Sequence, residues 1–240
     1  MAYKSETLVK VCKALNVSIE GYKAMNPDSV KVCISKGNVK IGRVMNFSLA
    51  PVLTCGKACA VCAGYCYDIK ACVQYPNTVV DARARNTALV LGGSASRDSL
   101  FSRLDVAMTR RRSHKYFRFH VAGDFVDMDY LKRCVDLVRK HPDFIVWTYT
   151  KQYDLVNAFC EKYGRDYIPS NFSIMFSRWD GLPMNNPYNF PEFVCRLKDG
   201  NVDTSDDWFA RHFKCGGNCG YCLEHGVGCP YAMTAWVDEH

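Results

Sequence analysis

The sequence predicts an α/β protein whose strands are mainly parallel. Between residues 116 and 176, short apolar stretches alternate with longer amphipathic stretches. Strands that alternate with helices of about ten or more residues are typical of parallel βαβ units. Right-handed crossovers wind such units into either an open sheet or a barrel.

Composition and length set the class of protein. A chain of 240 residues, 48% hydrophobic and 23% charged, is expected to form one soluble domain with at most a small appendage. No apolar run approaches the ~18 residues of a membrane span, so no membrane partner is expected. With 14 cysteines and no recognisable export signal, the sequence predicts a cytoplasmic protein whose thiols serve metals or chemistry. The net charge of +7 permits nucleic acid as a partner without requiring it.

The N-terminal 40 residues are predicted to form a helical and hairpin extension. Residues 5–15 have the pattern of an amphipathic helix that begins at Ser5, and Asn16-Val17-Ser18 predicts a break before a second short helix over 19–25. This pair is interpreted as a packing lid, with a helix-turn-helix as the alternative. A hairpin over 30–35 and 39–49 should lead into the first strand of the core.

The elements after the cysteine loop follow in order. A helix over 69–91, interrupted at Pro76, precedes a helix over 99–109. Strands are then predicted at 116–122, 144–149 and 172–176, with helices at 128–140 and 152–163 between them, and 181–191 is expected to be a loop. Arg110, Arg111, Arg112 and Lys115 close the second helix, where cations either cap and solvate the helix end or bind phosphate.

Four cysteines fall within twelve residues after the first core strand. Cys55, Cys59 and Cys62 are spaced C-x3-C-x2-C, and Cys66 follows. Thiolates in one loop can converge on a soft metal centre, and several such spacings hold iron–sulfur clusters. Zinc and a disulfide framework are the alternatives, and the second needs an oxidising compartment.

A second thiol group lies near the C-terminus. Cys215, Cys219 and Cys222 repeat the C-x3-C-x2-C spacing, and Cys229 supplies a fourth thiol followed by proline. Four ligands can close a site completely, so these residues predict an iron–sulfur cluster, with a structural zinc ion as the alternative.

The order of these parts resembles that of radical S-adenosylmethionine (SAM) enzymes. In that family a cysteine loop follows the first strand of a partial (β/α) barrel, and a Gly-Gly-Glu-like turn follows the second strand. Here 43–49 precedes the C-x3-C-x2-C loop, and Ala122-Gly123-Asp124 follows the next predicted strand. The resemblance implies a partial (β/α) barrel of mainly parallel strands with a short N-terminal helical lid and a C-terminal cysteine-rich metal-binding extension.

The resemblance also implies cofactors and site residues. A [4Fe-4S] cluster would be held by Cys55, Cys59 and Cys62, which leave one iron open, and an electron donor would reduce it. SAM would be bound by residues at the ends of successive strands: Ala122, Gly123, Asp124, Thr148, Thr150, Lys151, Ser177 and Arg178. One or two clusters are expected, with zinc as the alternative at Cys215, Cys219, Cys222 and Cys229.

Three residues depart from the radical SAM pattern. Val61 stands just before the third cysteine, where the family usually has an aromatic residue, and Asp124 is one methylene shorter than the usual Glu. Because Cys66 follows, the alternative set of three cluster ligands is Cys55, Cys62 and Cys66. The run from Cys62 to Tyr67, together with His-x-x-Gly-Asp-Phe over 120–125 and the stretch Tyr149–Lys151, also resembles the phage- and plasmid-borne gene product 88 family.

The sequence therefore predicts an N-terminal extension at 1–40, a radical SAM-like core at 41–200 and a cysteine-rich cluster-binding segment at 201–240. The predicted activity is generation of a 5′-deoxyadenosyl radical that acts on a substrate the sequence does not identify. The alternative is an iron–sulfur- or zinc-bearing nucleic-acid-binding protein of a phage or plasmid.

Overall fold

A computed structural model describes residues 5–37, 41–56, 60–110, 115–198 and 204–238 of the chain. In these residues the strands form one mostly parallel sheet with helices around it, which confirms the predicted α/β class. The strands are β1 (Ile34–Ser35), β2 (Met45–Phe47), β3 (Tyr116–Phe119), β4 (Ile145–Thr150), β5 (Phe172–Arg178), β6 (Glu192–Arg196), β7 (Phe213–Lys214) and β8 (Ala235–Asp238).

The sheet has the strand order β1-β2-β3-β4-β5-β6-β8-β7. β1 pairs antiparallel with β2, and the other neighbours pair parallel. From β1 to β6 the spatial order is therefore the chain order. The three segments predicted at 1–40, 41–200 and 201–240 all contribute strands to this one sheet.

Helices connect the parallel strands and extend the chain at both ends. They are α1 (Ser5–Lys23), α2 (Ala60–Gly64), α3 (Tyr67–Gln74), α4 (Asp81–Leu91), α5 (Ser94–Arg110), α6 (Met128–Lys140), α7 (Tyr153–Tyr163), α8 (Asp206–Arg211) and α9 (Cys219–His225). A π-helical turn at Pro76–Val80 separates α3 from α4, as the predicted interruption at Pro76 required. None of the helices in the described part of the chain combines the length and apolar character that a bilayer crossing needs.

One face of the sheet packs against the connecting helices. Phe117 and Phe119 of β3, Val146 of β4 and Ile174 of β5 are fully or almost fully buried on this face. They join one apolar cluster with residues of α5, α6 and α7: Leu100, Leu104, Leu131, Val135, Val156 and Phe159. This cluster is the main core of the described residues, because with Phe47 of β2 and Leu89 of α4 it joins four strands and four helices in one buried volume.

The opposite face of the sheet is covered by the C-terminal segment. Trp147 and Met175 alternate with the residues that face the helices, and both are fully buried. They pack with Cys229 and Ala235, and Cys219 and Leu223 of α9 border the same cluster. The second cysteine group therefore lies against the sheet rather than on a separate appendage.

The predicted break at Asn16-Val17-Ser18 is wrong, because α1 runs without interruption from Ser5 to Lys23. Val11, Leu15 and Ile19 recur every four residues and are buried on one side of the helix. They pack in a cluster with Ala84 and Ala88 of α4. This packing outweighs the weak helix propensity of Asn16–Ser18.

Other predicted elements differ from the structure mainly at their ends. The helix predicted over 128–140 is confirmed at both ends. Asp127 caps its N-terminus by accepting a hydrogen bond from the Tyr130 N–H at 2.9 Å. β3 ends at Phe119 rather than at 122, since His120 has a φ of 53° and turns the chain out of the strand. The short elements β6, β8 and α9 were not predicted.

Candidate metal and cofactor site

The predicted SAM-binding residues and the first cysteine loop lie at one edge of the sheet, at the ends of strands or in the loops that follow them. β2, β3, β4 and β5 are neighbouring parallel strands, so their carboxyl ends lie side by side. The cysteine loop follows β2, the Gly123–Asp124 turn follows β3, and Lys151 follows β4. This edge is where open α/β sheets and barrels place ligands.

A tight turn after β3 brings the backbone close to the segment after β2. The Ala122 carbonyl accepts a hydrogen bond from the Leu49 N–H at 2.9 Å, and Ala122 itself is buried. Gly123 has a φ of 83°, and a Cβ atom at this position would lie 2.6 Å from both Leu49 Cβ and Thr54 Oγ1. Only glycine combines this backbone conformation with so close an approach.

Asp124 joins the ends of β3 and β4. Its Oδ1 accepts hydrogen bonds from the Phe125 N–H and the Thr150 hydroxyl, both at 2.7 Å, and its Oδ2 accepts one from the Lys151 N–H at 2.7 Å. Burial raises the pKa of the Asp124 carboxyl to about 6, although these three donors oppose the rise. A carboxylate has about four acceptor positions, so Oδ2 can accept one further donor.

His120 is a buried residue of this turn rather than an open ligand. Its Nδ1 lies 3.1 Å from Thr148 Oγ1 and its Nε2 lies 2.9 Å from the Tyr130 hydroxyl. Burial, together with the nearby Arg118 charge, lowers the pKa of His120 to about 3. Thr148, a predicted cofactor-binding residue, is thus occupied in holding the turn.

Lys151 is the cation at the carboxyl ends of β4 and β5. Its Nζ donates a hydrogen bond to Ser177 Oγ at 3.0 Å and lies 5.3 Å from the centre of the Trp179 ring. Arg178, the other predicted cation, is 3.6 Å from a Glu192 carboxylate oxygen of β6. The structure therefore brings Lys151 and Ser177 together beside Asp124, whereas Arg178 forms an ion pair one strand further along.

The cysteine loop lies against this group of residues. The Cys55 carbonyl accepts a hydrogen bond from Gln152 Nε2 at 3.0 Å, which connects the loop to the segment after β4. Burial raises the pKa of the Cys55 thiol to about 12, and the Asp124 carboxylate and Cys66 add to the rise. Burial also raises the pKa of Cys66, whose neighbours include Cys62 and the backbone N–H groups that begin α3. Cys55, Cys62 and Cys66 thus share one neighbourhood at the predicted place.

The described thiols match a soft metal in chemistry but are not arranged around one. Cys59 lies outside the described residues. Across 5–37, 41–56, 60–110, 115–198 and 204–238, no group of three or more His, Cys, Asp or Glu side chains is arranged to hold a metal ion. A ligand set that includes Cys59, and the choice between Cys59 and Cys66, therefore stay predictions.

The C-terminal cysteines also share one neighbourhood. Cys222 and Cys229 are buried, and each interacts electrostatically with Cys215 and Cys219. A Cβ atom on Gly228 would lie 2.9 Å from the Cys222 sulfur, so this glycine lets the backbone approach the thiol closely. The Gly217 N–H donates a hydrogen bond to the Cys215 sulfur at 3.4 Å. Backbone N–H groups near sulfur are typical of cluster and zinc-thiolate sites.

Two residues at the site were missed by the sequence analysis. Gln152 follows directly after Lys151, and its polar side chain beyond a strand end was the available signal. Arg118 lies in β3, with its guanidinium carbon 4.7 Å from the centre of the Tyr149 ring and a buried Nε that has no hydrogen-bond partner in the described chain. Its electrostatic neighbours include Cys219 and Cys229 of the second cysteine group, and Tyr67, the residue that follows Cys66.

Comparison with known proteins gives one match. No curated protein and no solved structure is significantly similar to this chain. Residues 23–190 match the family described as gene product 88. The match includes the cysteine loop and the carboxyl ends of β2–β5, whereas most of α1 and the second cysteine group lie outside it. Because the match covers more than half of the 240 residues, the chain belongs to the gene product 88 family.

Proposed function

We propose that this protein is a radical SAM-type iron–sulfur enzyme whose site is the carboxyl edge of β2–β5. The observation that carries the proposal is the grouping of a cysteine loop, a Gly-Asp turn and a lysine at the ends of consecutive parallel strands. A thiol-bound cluster and a zwitterionic cofactor need these three kinds of group within reach of one another.

The strand order supports a partial (β/α) barrel as the scaffold. β2 to β6 are neighbours in chain order, and the residues that face α5, α6 and α7 all lie on one face of the sheet. A singly wound sheet with helices on one face curves toward a barrel, whereas a doubly wound sheet has helices on both faces.

Cysteine chemistry supports a cluster at the loop. Cys55, Cys59 and Cys62 would hold it, or Cys55, Cys62 and Cys66, and soft thiolates are the ligands that iron–sulfur clusters require. Because burial raises the pKa of Cys55 and Cys66, cluster assembly must displace their protons. When bound, the reduced cluster and SAM together would supply a one-electron cleavage that allows hydrogen abstraction from a substrate.

The protein's own residues would orient SAM. The remaining acceptor position on Asp124 Oδ2 suits an ammonium group, because a fourth donor would complete the hydrogen bonding of the buried carboxylate. Lys151 Nζ, held by Ser177 Oγ, suits the SAM carboxylate. Lys151 is better placed for this role than Arg178, whose guanidinium already faces Glu192.

We further propose that Cys215, Cys219, Cys222 and Cys229 bind a second, closed centre, either a cluster or zinc. The close approach of Gly228 to the Cys222 sulfur supports it. Elemental analysis decides between the metals: additional iron and sulfide indicate a cluster, and one zinc without additional iron indicates zinc.

The test of the enzyme proposal is anaerobic purification, iron and sulfide analysis, and electron paramagnetic resonance of the dithionite-reduced protein with and without SAM. We expect a cluster signal that SAM alters, and formation of 5′-deoxyadenosine. Cys55→Ser should abolish the loop cluster, whereas Cys12→Ser, on α1, should not. Asp124→Asn should keep the cluster and weaken SAM binding. Cluster-replete protein that neither binds SAM nor forms 5′-deoxyadenosine would overturn the proposal.

A further inference from the structure

A broad groove of about 730 Å³ lies beside the antiparallel edge of the sheet. We call it the basic groove. It is formed by the segment around β1, by α4 and by the C-terminal half of α5. The residues that line it are Lys31, Val32, Cys33, Ile34, Ser35, Asn46, Ala82, Arg83, Arg103, Val106, Ala107 and Arg110.

The charge of the basic groove is of one sign. Among the described residues that line it, four are Lys or Arg and none is Asp or Glu. Asp68 compensates one of them, since its two carboxylate oxygens accept hydrogen bonds from Arg83 at 2.8 and 2.9 Å. Lys31, Arg103 and Arg110 have no comparable hydrogen-bonded ion pair among the described contacts, although Asp81 lies near Lys31 and Asp28 near Arg103.

Arg103 is fixed in place without losing its charge. Its guanidinium donates hydrogen bonds to the backbone carbonyls of Ser99, Val30 and Pro27 at 3.1, 2.5 and 3.0 Å. Carbonyl groups orient a guanidinium but do not neutralise it, so Arg103 keeps its positive charge, which nearby Asp28 offsets in part. Lys31 and Arg110 are exposed residues of the groove lining.

The uncharged residues of the groove favour contact with the sugar-phosphate backbone of a nucleic acid rather than with its bases. Apolar atoms of Val32, Ile34, Val106 and Ala107 form part of the surface, and no aromatic side chain is among the lining residues that the structure describes. Proteins that read single strands through their bases stack them on aromatic rings. A groove with arginines and no rings is suited to phosphate groups and sugars instead.

We propose that the basic groove binds the phosphate backbone of a nucleic acid without sequence preference. An open groove whose lining carries several cations suits an anionic polymer that passes along it. The chain adds further positive charge next to Arg110 in sequence, at Arg111 and Arg112, and carries a net charge of +7. None of Lys31, Arg103 and Arg110 belongs to the carboxyl-edge site, so this proposal stands whether or not the protein binds SAM.

The test measures how salt weakens binding of a fluorescein-labelled oligothymidine of about 20 nucleotides to the full-length protein by fluorescence anisotropy. For a single strand, the logarithm of the binding constant falls with the logarithm of salt concentration with a slope of about 0.7 per phosphate contacted. Three groove cations therefore give an expected slope of about 2, and the double variant K31Q/R110Q should reduce it to about 0.7.

The matched control is K10Q/K13Q, which removes the same net charge from exposed lysines of α1 that do not line the groove. We expect its slope and affinity to equal those of the wild type, and both double variants should unfold at the wild-type urea midpoint. Equal loss of binding in the two double variants, or no binding at low salt, overturns the proposal.

Two further probes distinguish phosphate contacts from base contacts, and nucleic acid from acidic protein. An oligoadenosine of the same length should bind within about threefold of oligothymidine, because phosphate contacts carry no sequence information. Polyglutamate, added at the same concentration of negative charge as the oligonucleotide, should compete poorly with it for the basic groove. Displacement of the oligonucleotide by polyglutamate at equal charge would overturn the nucleic-acid proposal and indicate a surface for acidic proteins.

Discussion

At the scale of single residues, the turn after β3 depends on Gly123. Alanine there would combine a φ of 83° with contacts of 2.6 Å to Leu49 Cβ and Thr54 Oγ1. We expect Gly123→Ala to reduce the free energy of unfolding by about 3 kcal/mol, from strain and overpacking together. Gly164 is the matched control, since it has a φ of 86° but no atom within 4 Å of an added Cβ.

Gly164→Ala should therefore cost only the backbone strain of about 1 kcal/mol. Urea denaturation of both variants measures the difference. Equal losses of stability would show that the close approach at Gly123 is relieved at little cost, and that the turn does not need glycine for space.

Two buried titratable residues of the same turn should affect acid stability in opposite directions. Burial lowers the pKa of His120 to about 3, so the unfolded chain binds its proton first as the pH falls below about 6.5. The free energy of unfolding therefore decreases as the pH falls from about 6.5 toward about 3. Burial raises the pKa of Asp124 to about 6, so the folded protein binds this proton first, and stability is gained as the pH falls from about 6 to about 4.

We therefore expect His120→Asn to flatten the acid loss of stability, and Asp124→Asn to steepen it. Asparagine is chosen at 120 because it tolerates the left-handed backbone that His120 adopts at a φ of 53°. Urea unfolding at several pH values between about 4 and 7 measures both slopes, and His225→Asn, an exposed position, is the control. Parallel pH profiles for the three variants would contradict this account.

At the scale of elements, the start of α6 is fixed by a charged cap. The Asp127 carboxylate accepts the Tyr130 N–H at 2.9 Å and two hydrogen bonds from the Arg97 guanidinium at 2.6 and 2.8 Å. Arg97 is 9% exposed and also donates to the Val90 carbonyl, so it joins the end of α4 to the start of α6.

Asp127→Ala should lower the free energy of unfolding by about 2 kcal/mol, because the helix loses its cap and Arg97 loses one of two carboxylate partners. Asp98→Ala is the control: Asp98 pairs with Arg133 at 2.6 Å, but its side chain is 64% exposed. Exposed ion pairs contribute about 0.5 kcal/mol. Chemical denaturation of the two variants measures the difference. Equal losses of stability would show that the Arg97–Asp127 contacts contribute no more than an exposed ion pair.

The elements that the sequence predicted are those whose signal is local. α6 has an Asp cap and apolar residues such as Leu131 and Val135 at helical spacing, and both ends were predicted correctly. β6 and β8 carry no such signal, since each has few residues and becomes a strand by pairing with a distant segment, as Val194 does with Trp236. Their existence depends on the sheet that the rest of the chain builds.

The candidate site was predictable in its location but not in its internal contacts. Residues at strand ends, such as Asp124 and Lys151, could be placed together because parallel strands end at one edge. The sequence could not show that Asp124 already accepts three hydrogen bonds, or that Arg178 pairs with Glu192. Those contacts depend on loop conformations and on β6, which the pattern did not predict.

At the scale of the whole molecule, two segments extend the chain beyond the region shared with the family, residues 23–190. α1 adds Val11, Leu15 and Ile19 to a cluster beside the main core. The segment at 204–238 adds β7 and β8 to the sheet and covers its second face, where Trp147 and Met175 are fully buried. The two extensions therefore differ in what their removal would expose.

Removing residues 1–22 should leave a protein that unfolds cooperatively at a lower denaturant midpoint, because three apolar side chains of about 2 kcal/mol each are lost from a cluster beside the core. Removing residues 204–240 should abolish cooperative unfolding, because it strips one face of the central strands and leaves β6 as an open edge. Urea denaturation compares the two truncations. A C-terminal truncation that keeps a sharp transition would show that the sheet is stable without this cover. The second cysteine group would then be an accessory centre rather than part of the fold.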